Sequence, residues 1–66
     1  MDIQLNGEAA TVAEGTTVQA LLEQRGLGQR RVAVEVNGEI VPRGRHAAHG
    51  LRAGDRVEIV HALGGG

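Results

Sequence analysis

Residues 31–42 read RVAVEVNGEIVP, and this stretch decides the fold that the sequence predicts. Three valines alternate with other residues, which is the pattern of a strand with one buried face. The Asn37-Gly38 pair that follows favours the positive φ angles of a tight hairpin turn. Residues 39–41 form a short returning strand that ends at Pro42, because proline cannot donate to a strand ladder. The stretch therefore predicts an antiparallel hairpin.

A second hairpin is predicted at the start of the chain. Residues 2–5 alternate between polar and apolar side chains, and Asn6-Gly7 follows them directly. The same turn chemistry predicts that residues 9–13 return as an antiparallel strand. Two Asn-Gly pairs thus predict two separate hairpins.

The segment between the hairpins changes to a helical period. Its apolar residues, which fall on one helix face, are Val18, Leu21 and Leu22. We predict Thr16 as the N-cap, with Gln19 closing a capping box. Gly26 is predicted to end the helix in the left-handed conformation, with an apolar contact from Leu27. A helix of about two to three turns is unstable alone, so it must pack on the sheet.

The C-terminal half supplies one more long strand. Residues 43–50 have no clean period and are predicted to form a loop with room for a helical turn, and residues 51–55 form a tighter turn. Residues 56–61 alternate again and predict the last strand, which residues 62–63 extend. Three glycines, 64–66, then close the chain.

The resulting order is strand, strand, helix, strand, short strand, strand. A single helix must cross one face of the sheet, and the simplest closed solution places the first and last strands side by side and parallel at its centre. This is the ubiquitin-like β-grasp arrangement of the α+β class. We predict a mixed sheet of four to five strands packed on one helix in a domain of residues 1–63, with a flexible glycine tail at residues 64–66.

Composition excludes several classes of function. The 66 residues make one domain, and seven arginines against eight acidic residues argue against nucleic-acid binding by bulk charge. Disulfides, thiolate metal sites and base stacking are excluded because the chain has no Cys, Phe, Tyr or Trp. No apolar run is long enough for a membrane span, and no leader pattern is present. We expect a cytoplasmic protein with no nucleic-acid or membrane partner.

The candidate reactive group is the C-terminal carboxyl of Gly66. Glycines can pass through a narrow channel, and a terminal carboxyl, with a pKa of about 3.3–3.7, is ionised at neutral pH. Such a carboxylate is suited to attack the α-phosphate of ATP in a partner's active site, with Gly64 and Gly65 recognised as the tail. A frayed terminus would have the same sequence. The tail therefore indicates a reactive group only because it follows a β-grasp strand order.

Histidines are the other candidates for chemistry. His46 and His49, with Asp55, suggest a metal site, but loop histidines without a supporting carboxylate pattern are typical of solvated surface residues. We therefore predict no metal site and no cofactor bound by this chain. The sequence contains no serine, and no threonine has an obvious activating partner, so we predict no catalytic residue and no enzyme.

A partner-docking surface is predicted near the tail. By the strand alternation, Ala33, Val60 and Ala62 point away from the core and form a weakly apolar patch. Arg43, the first of four arginines between residues 43 and 56, is the charged member of this candidate surface. Scattered exposed aliphatic residues and a solvated basic face would show the same pattern.

Five segments carry a resemblance to a known family: residues 3–7 (IQLNG), 17–22 (TVQALL), 34–43 (VEVNGEIVPR), 54–59 (GDRVEI) and the closing glycines. They resemble the ThiS family, the sulfur carriers of thiamine biosynthesis, over essentially the whole chain. The block from Asn37 to Arg43 is the most distinctive. The Gly-Asp turn and the terminal glycines also occur in other ubiquitin-like carriers.

The resemblance implies a protein cosubstrate. It implies that an E1-like adenylating enzyme of the ThiF type uses ATP and magnesium to activate Gly66, and that a persulfide from a donor such as a cysteine desulfurase converts it to a thiocarboxylate. Thiazole synthase of the ThiG type then takes the sulfur for the thiazole ring. Gly65 and Gly66 match the family's diglycine, and Gly64 is an added residue. His46 stands where many relatives carry an aromatic residue, which leaves the packing of its loop open.

Two alternatives stay open at this point. Carriers for molybdopterin synthesis or tRNA thiolation share the fold and the tail, although they are usually longer. The alternative from another class is a β-grasp interaction module without tail chemistry. Such a module should tolerate residues added after Gly66, whereas a carrier should not.

Overall fold

The strands and the helix lie close to their predicted positions. A computed structural model describes residues 1–61 of the chain. The elements are β1 (Asp2–Leu5), β2 (Glu8–Thr11), α1 (Val18–Gln24), β3 (Val32–Val36), β4 (Glu39–Val41) and β5 (Arg56–His61). A 3₁₀ turn, Arg43–Arg45, follows β4. The predicted domain boundary after residue 63 and the glycine tail lie outside the described residues.

The five strands form one mixed sheet in the order β2-β1-β5-β3-β4. β1 and β5 are parallel neighbours at its centre, and the other three pairs are antiparallel. α1 lies in the connection between the two hairpins. The predicted β-grasp arrangement is confirmed, with five strands in the sheet.

Both predicted Asn-Gly turns are confirmed. The φ angles are 50° at Asn6 and 83° at Gly7, and 54° at Asn37 and 85° at Gly38. Two consecutive positive φ angles are the signature of the type I′ turn, whose twist matches that of the flanking strands. Local chemistry alone therefore determines where both hairpins reverse.

One apolar core joins α1 to the inner face of the sheet. Its buried members come from the helix, all strands except β2, and two connecting segments: Ile3, Val12, Val18, Leu21, Leu22, Val34, Val36, Val41, Leu51, Val57 and Ile59. Alternation is clear in β5, where Val57 and Ile59 are buried and the residues between and beyond them are exposed. Burial of apolar surface contributes about 25 cal/mol per Å² and is the main stabilising term for such a small aliphatic core.

The N-terminus of α1 differs from the prediction by one residue. Thr17 is the N-cap, since its backbone is extended (φ −92°, ψ 167°) and its Oγ1 accepts a hydrogen bond from the N–H of Ala20 at 3.1 Å. Thr16 is buried, and its Oγ1 donates to the carbonyl of Ala13 at 2.6 Å. Because Ala13 belongs to this turn, β2 ends at Thr11 and not at the predicted residue 13.

A loop, and not a capping box, satisfies the first N–H groups of α1. The N–H of Val18 donates to the carbonyl of His49, and the N–H of Gln19 donates to the carbonyl of His46, both at 2.9 Å. The side chain of Gln19 donates to Glu23 at 3.2 Å instead of reaching back to the cap. The loop after β4 therefore holds the start of the helix.

The C-terminus of α1 agrees with the prediction. Gly26 has a φ of 74°, and its N–H donates to the carbonyl of Glu23 at 3.1 Å. The N–H of Leu27 donates to the carbonyl of Leu22 at 2.7 Å, and the Leu27 side chain packs against the core. These two bonds define a Schellman motif.

His46 is buried, which corrects the prediction that the loop histidines are solvated. Its side chain is 4% exposed, and its Nε2 lies 3.0 Å from the carbonyl oxygen of Val41. The ring therefore joins its loop to the end of β4. This contact answers the open question of how the loop packs without the aromatic residue of many relatives.

Candidate functional site

β5 leads to the predicted reactive group. Its register with β3 runs from the Val36–Val57 pair to the Val32–His61 pair, so the last described residue is still held in the sheet. The predicted site residues Ala62, Gly64, Gly65 and Gly66 lie outside the described residues. What the structure shows is the strand from which they continue.

Two asparagine side chains hold β5 between its neighbours. Asn6 Oδ1 accepts a hydrogen bond from the N–H of Ile59 at 2.8 Å, just beyond the end of β1. Asn37 Oδ1 accepts one from the N–H of Arg56 at 2.9 Å, just beyond the end of β3. Their own backbone N–H groups donate to carbonyls of β5 at 2.8 and 2.7 Å. Each Asn-Gly turn therefore closes a hairpin and also anchors β5, a second role that was not predicted from the sequence.

Asp55 closes the turn that leads into β5. One of its carboxylate oxygens accepts a hydrogen bond from the N–H of Arg52 at 2.8 Å, and the other accepts one from Asn37 Nδ2 at 3.0 Å. Gly54, beside it, has a φ of 85°. Since both carboxylate oxygens hold the turn together, Asp55 has a structural role that explains its place among the arginines.

The described surface offers open clefts and no clustered metal ligands. Within residues 1–61, no group of three or more His, Cys, Asp or Glu residues is placed to bind a metal ion. One cleft of about 460 Å³ is lined by Val36, Asn37, Glu39, His49, Gly50, Arg52 and Asp55. In the same part of the chain, no helix is long and apolar enough to cross a membrane.

The structure brings together two of the four predicted docking residues. Ala33 and Val60 are direct cross-strand partners on β3 and β5, and both are exposed, Val60 by 60%. Arg43 belongs to the 3₁₀ turn after β4 and is not a strand partner of this pair. Ala62 lies outside the described residues.

Three further residues extend this exposed patch across the sheet. Glu58 on β5 is the direct partner of Glu35 on β3, and Glu35 is in turn the partner of Ile40 on β4. Ile40 is 69% exposed. The alternation in the sequence predicts that Glu35 lies on the face opposite to the core valines. Only the strand register shows which side chains are its neighbours.

The comparisons with known proteins agree with this architecture. The sequence matches the model of the ThiS family over residues 3–66. The chain belongs to the ThiS family. It is 38% identical over 66 residues to the sulfur carrier protein ThiS of Escherichia coli, covering 100% of both chains. It also resembles the crystal structure of ThiS from Geobacter metallireducens, with a TM-score of 0.86, 38% identity and 100% coverage of both chains.

A longer protein also contains a ThiS-like segment. Thiazole synthase of Magnetococcus marinus is 44% identical to this chain over 66 residues, which is 100% of this chain and 20% of that protein. The chain thus spans a fifth of the length of this relative. The resemblance to the ThiS family is confirmed, and so is the ubiquitin-like β-grasp fold that it implies.

Proposed function

We propose that this chain carries sulfur on the carboxyl group of Gly66 and delivers it for formation of the thiazole ring of thiamine. Membership of the ThiS family makes the chain a small sulfur carrier of thiamine biosynthesis. Beyond family membership, we propose the chemistry at Gly66 and the individual partners. The observation that carries them is the family match, which runs from residue 3 through the final glycine.

The chemistry proceeds in three steps. A carboxylate oxygen of Gly66 attacks the α-phosphorus of ATP, which forms an acyl adenylate and releases pyrophosphate. A persulfide then displaces AMP from the acyl carbon, and a second thiol cleaves the sulfur–sulfur bond to leave a thiocarboxylate. The carrier supplies the acyl group and its recognition, while the catalytic groups belong to the partners.

Three partners follow from this chemistry. An E1-like adenylating enzyme of the ThiF type uses ATP and magnesium, and a cysteine desulfurase supplies the persulfide sulfur. Thiazole synthase of the ThiG type accepts the sulfur. The thiazole synthase of Magnetococcus marinus supports the last assignment, because one protein of that name contains a segment similar to this entire chain. The same match favours thiazole formation over molybdopterin synthesis or tRNA thiolation.

The domain's part is to present the tail to these partners. β5 is held on both sides, by β1 and β3, and by the side chains of Asn6 and Asn37. A rigid strand that leads into residues 62–66 gives a partner one fixed surface to recognise. We assign Ala33 and Val60, with Ala62 and Arg43, to that docking surface, and Gly64 and Gly65 to recognition of the tail inside the partner's channel.

Two variants of equal length test the reaction at Gly66. One carries an alanine appended after Gly66, and its matched control carries an extra glycine inserted before Gly64. We expect the alanine variant to lose ATP–pyrophosphate exchange with the adenylating enzyme, because its terminal carboxyl belongs to a residue with a Cβ. The control keeps a terminal Gly-Gly and should retain exchange. Exchange at the wild-type rate by the alanine variant would contradict the proposal.

A further inference from the structure

The exposed face of β5, β3 and β4 has an unusual arrangement of charge. We define the outer face as Ala33, Glu35, Ile40, Glu58 and Val60, which lie on the side of the sheet opposite the buried residues of these strands. At its centre, Glu35 and Glu58 are direct cross-strand partners. Like charges placed directly opposite each other in an antiparallel pair are destabilising. Two carboxylates in this position weaken the sheet.

In the described part of the chain, no ion pair offsets this repulsion, although Arg56 lies on the same side of β5 as Glu58. Glu35 is half-buried and Glu58 is exposed, and within residues 1–61 neither carboxylate has a hydrogen bond or an ion pair. Arg56 lines the same surface depression together with both glutamates, but its side chain makes no ion pair with them. The stability of the fold therefore gives no reason for two opposed carboxylates at this place.

Apolar side chains flank the acidic pair on two sides. Val60 and Ala33 form the next outward-facing cross-strand pair, and Ile40 is the partner of Glu35 on β4. Ile40 and Val60 are the two large hydrophobic residues of the described chain that are strongly exposed, by 69% and 60%. A carboxylate pair with an apolar border matches a lysine or arginine side chain, whose stem packs on apolar surface while its head binds carboxylates.

The outer face also lies next to the end of the described chain. His61 directly follows Val60, and Gly66 is the fifth residue after His61. An extended chain spans at most about 3.3–3.6 Å per residue, so the carboxyl of Gly66 can reach roughly 17 Å from His61. Any protein that binds this carboxyl in its active site must therefore lie close to the end of the sheet at which His61 lies.

We propose that the adenylating enzyme docks on the outer face and inserts one basic side chain between Glu35 and Glu58, with Ala33, Ile40 and Val60 packed around it. This inference rests on the proposed function and names the partner's chemistry at the contact. The repulsion between the two carboxylates in the free carrier is relieved when the partner's cation binds. The acidic pair thus contributes to recognition at some expense in stability.

A charge-matched pair of double variants tests the contact. The test variant is Glu35→Gln with Glu58→Gln. The control is Glu8→Gln with Glu14→Gln, which removes the same charge from exposed positions in β2 and in the turn between β2 and α1. The assay is ATP–pyrophosphate exchange with the cognate adenylating enzyme, at several carrier and salt concentrations. Urea unfolding followed by far-UV circular dichroism accompanies each variant.

We expect the test variant to raise KM for the carrier at least about tenfold with little change in kcat, and to flatten the salt dependence of KM. Its unfolding midpoint should equal or exceed that of the wild type, because the repulsion is removed. The control should behave as the wild type. Glu58→Arg should raise KM further, since it places a like charge against the partner's cation.

Two results would overturn the contact while leaving the proposed function intact. One is an unchanged KM for the test variant, and the other is an equal rise in KM for the control, which would indicate bulk charge only. Normal adenylation combined with a defect confined to sulfur transfer would also overturn it, since the face would then serve a later partner. Failure of the wild-type carrier itself to be adenylated is a different result, and it would overturn the proposed function together with this inference.

Discussion

Substitution of Asn6 should destabilise the protein far more than its exposed position in a turn suggests. The parallel pairing of β1 with β5 covers only the Gln4–Arg56 and Leu5–Val57 pairs. Beyond the end of β1, the N–H of Ile59 has no strand acceptor on that side, and Asn6 Oδ1 accepts it at 2.8 Å. The Asn6 side chain thus continues the ladder at the centre of the sheet.

The magnitude follows from two separable effects. Removing the acceptor leaves the partly buried N–H of Ile59 unsatisfied, which costs about 1–3 kcal/mol. Asn6 has a φ of 50°, and a residue with an ordinary Cβ in this left-handed region costs a further 1–2 kcal/mol or so. We therefore expect Asn6→Ala to lower the free energy of unfolding by about 2–5 kcal/mol. A domain of this size has a total stability of roughly 3–10 kcal/mol, so the loss is a large fraction of it.

Three substitutions separate the effects. Asn6→Ala loses the acceptor and strains the backbone, Asn6→Gly loses the acceptor without the strain, and Asn6→Asp keeps an acceptor oxygen. We expect the free energy of unfolding to fall most for alanine, by about 1–3 kcal/mol for glycine, and by less than about 1 kcal/mol for aspartate. The chain has no Trp, Tyr or Phe, so urea unfolding must be followed by far-UV circular dichroism and not by fluorescence.

The glycine variant decides whether this reasoning is right. If Asn6→Gly were within about 0.5 kcal/mol of the wild type while Asn6→Ala lost several, the asparagine would serve backbone conformation only. The hydrogen bond to Ile59 would then contribute nothing measurable. A loss for Asn6→Asp equal to that for alanine would contradict the account in the same way.

Substitutions at three further positions probe the helix and its loop by the free energy of unfolding in urea. Thr17→Ala should lose about 1 kcal/mol because the Ala20 N–H loses its cap, while Thr17→Ser should be close to the wild type; equal losses for both would contradict the capping role. Leu21→Ala should lose about 2–5 kcal/mol because this helix side chain is fully buried, and a loss under 1 kcal/mol or so would refute its place in the core. His46→Ala should lower the free energy of unfolding by about 1–3 kcal/mol, since it removes the hydrogen bond to Val41 and leaves a void. His46→Phe should recover part of this loss by filling the void. An alanine variant as stable as the wild type would rule out the contact with Val41.

The elements that the sequence predicted correctly are those that depend on neighbouring residues. An Asn-Gly pair determines its own turn, so both hairpins were predictable from two residues each. Gly26 and Leu27 end α1 with hydrogen bonds that stay within six residues, and that motif was equally visible. The period-two alternation of residues 56–61 predicted the bounds of β5 correctly.

The predicted N-cap was wrong by one residue because contacts outside the helix decide between two adjacent threonines. Thr16 and Thr17 are both suitable caps, and they stand side by side. The structure prefers Thr17, because the loop carbonyls of His46 and His49 reach the first N–H groups of the helix, and because Thr16 is held by Ala13 in the turn before it. No local pattern distinguishes the two threonines.

The missed parts of the candidate site all depend on long-range register. Asn6 reaches Ile59 across 53 positions of the chain, and Asn37 reaches Arg56 across 19. Period-two patterning shows that Glu35 faces outward, but not that Glu58 stands opposite to it. The burial of His46 was hidden for a related reason, because its loop has no period from which a buried side could be read.

The most direct test of the account is intact mass spectrometry of the chain after incubation with ATP, magnesium, the cognate adenylating enzyme and a persulfide sulfur source. We expect a mass gain equal to the exchange of one oxygen for one sulfur, localised to Gly66 and absent from the variant with an alanine appended after it. An unmodified carrier, with an enzyme shown to be active on another carrier, would contradict the central claim. The interaction-module reading of the β-grasp domain would then replace it.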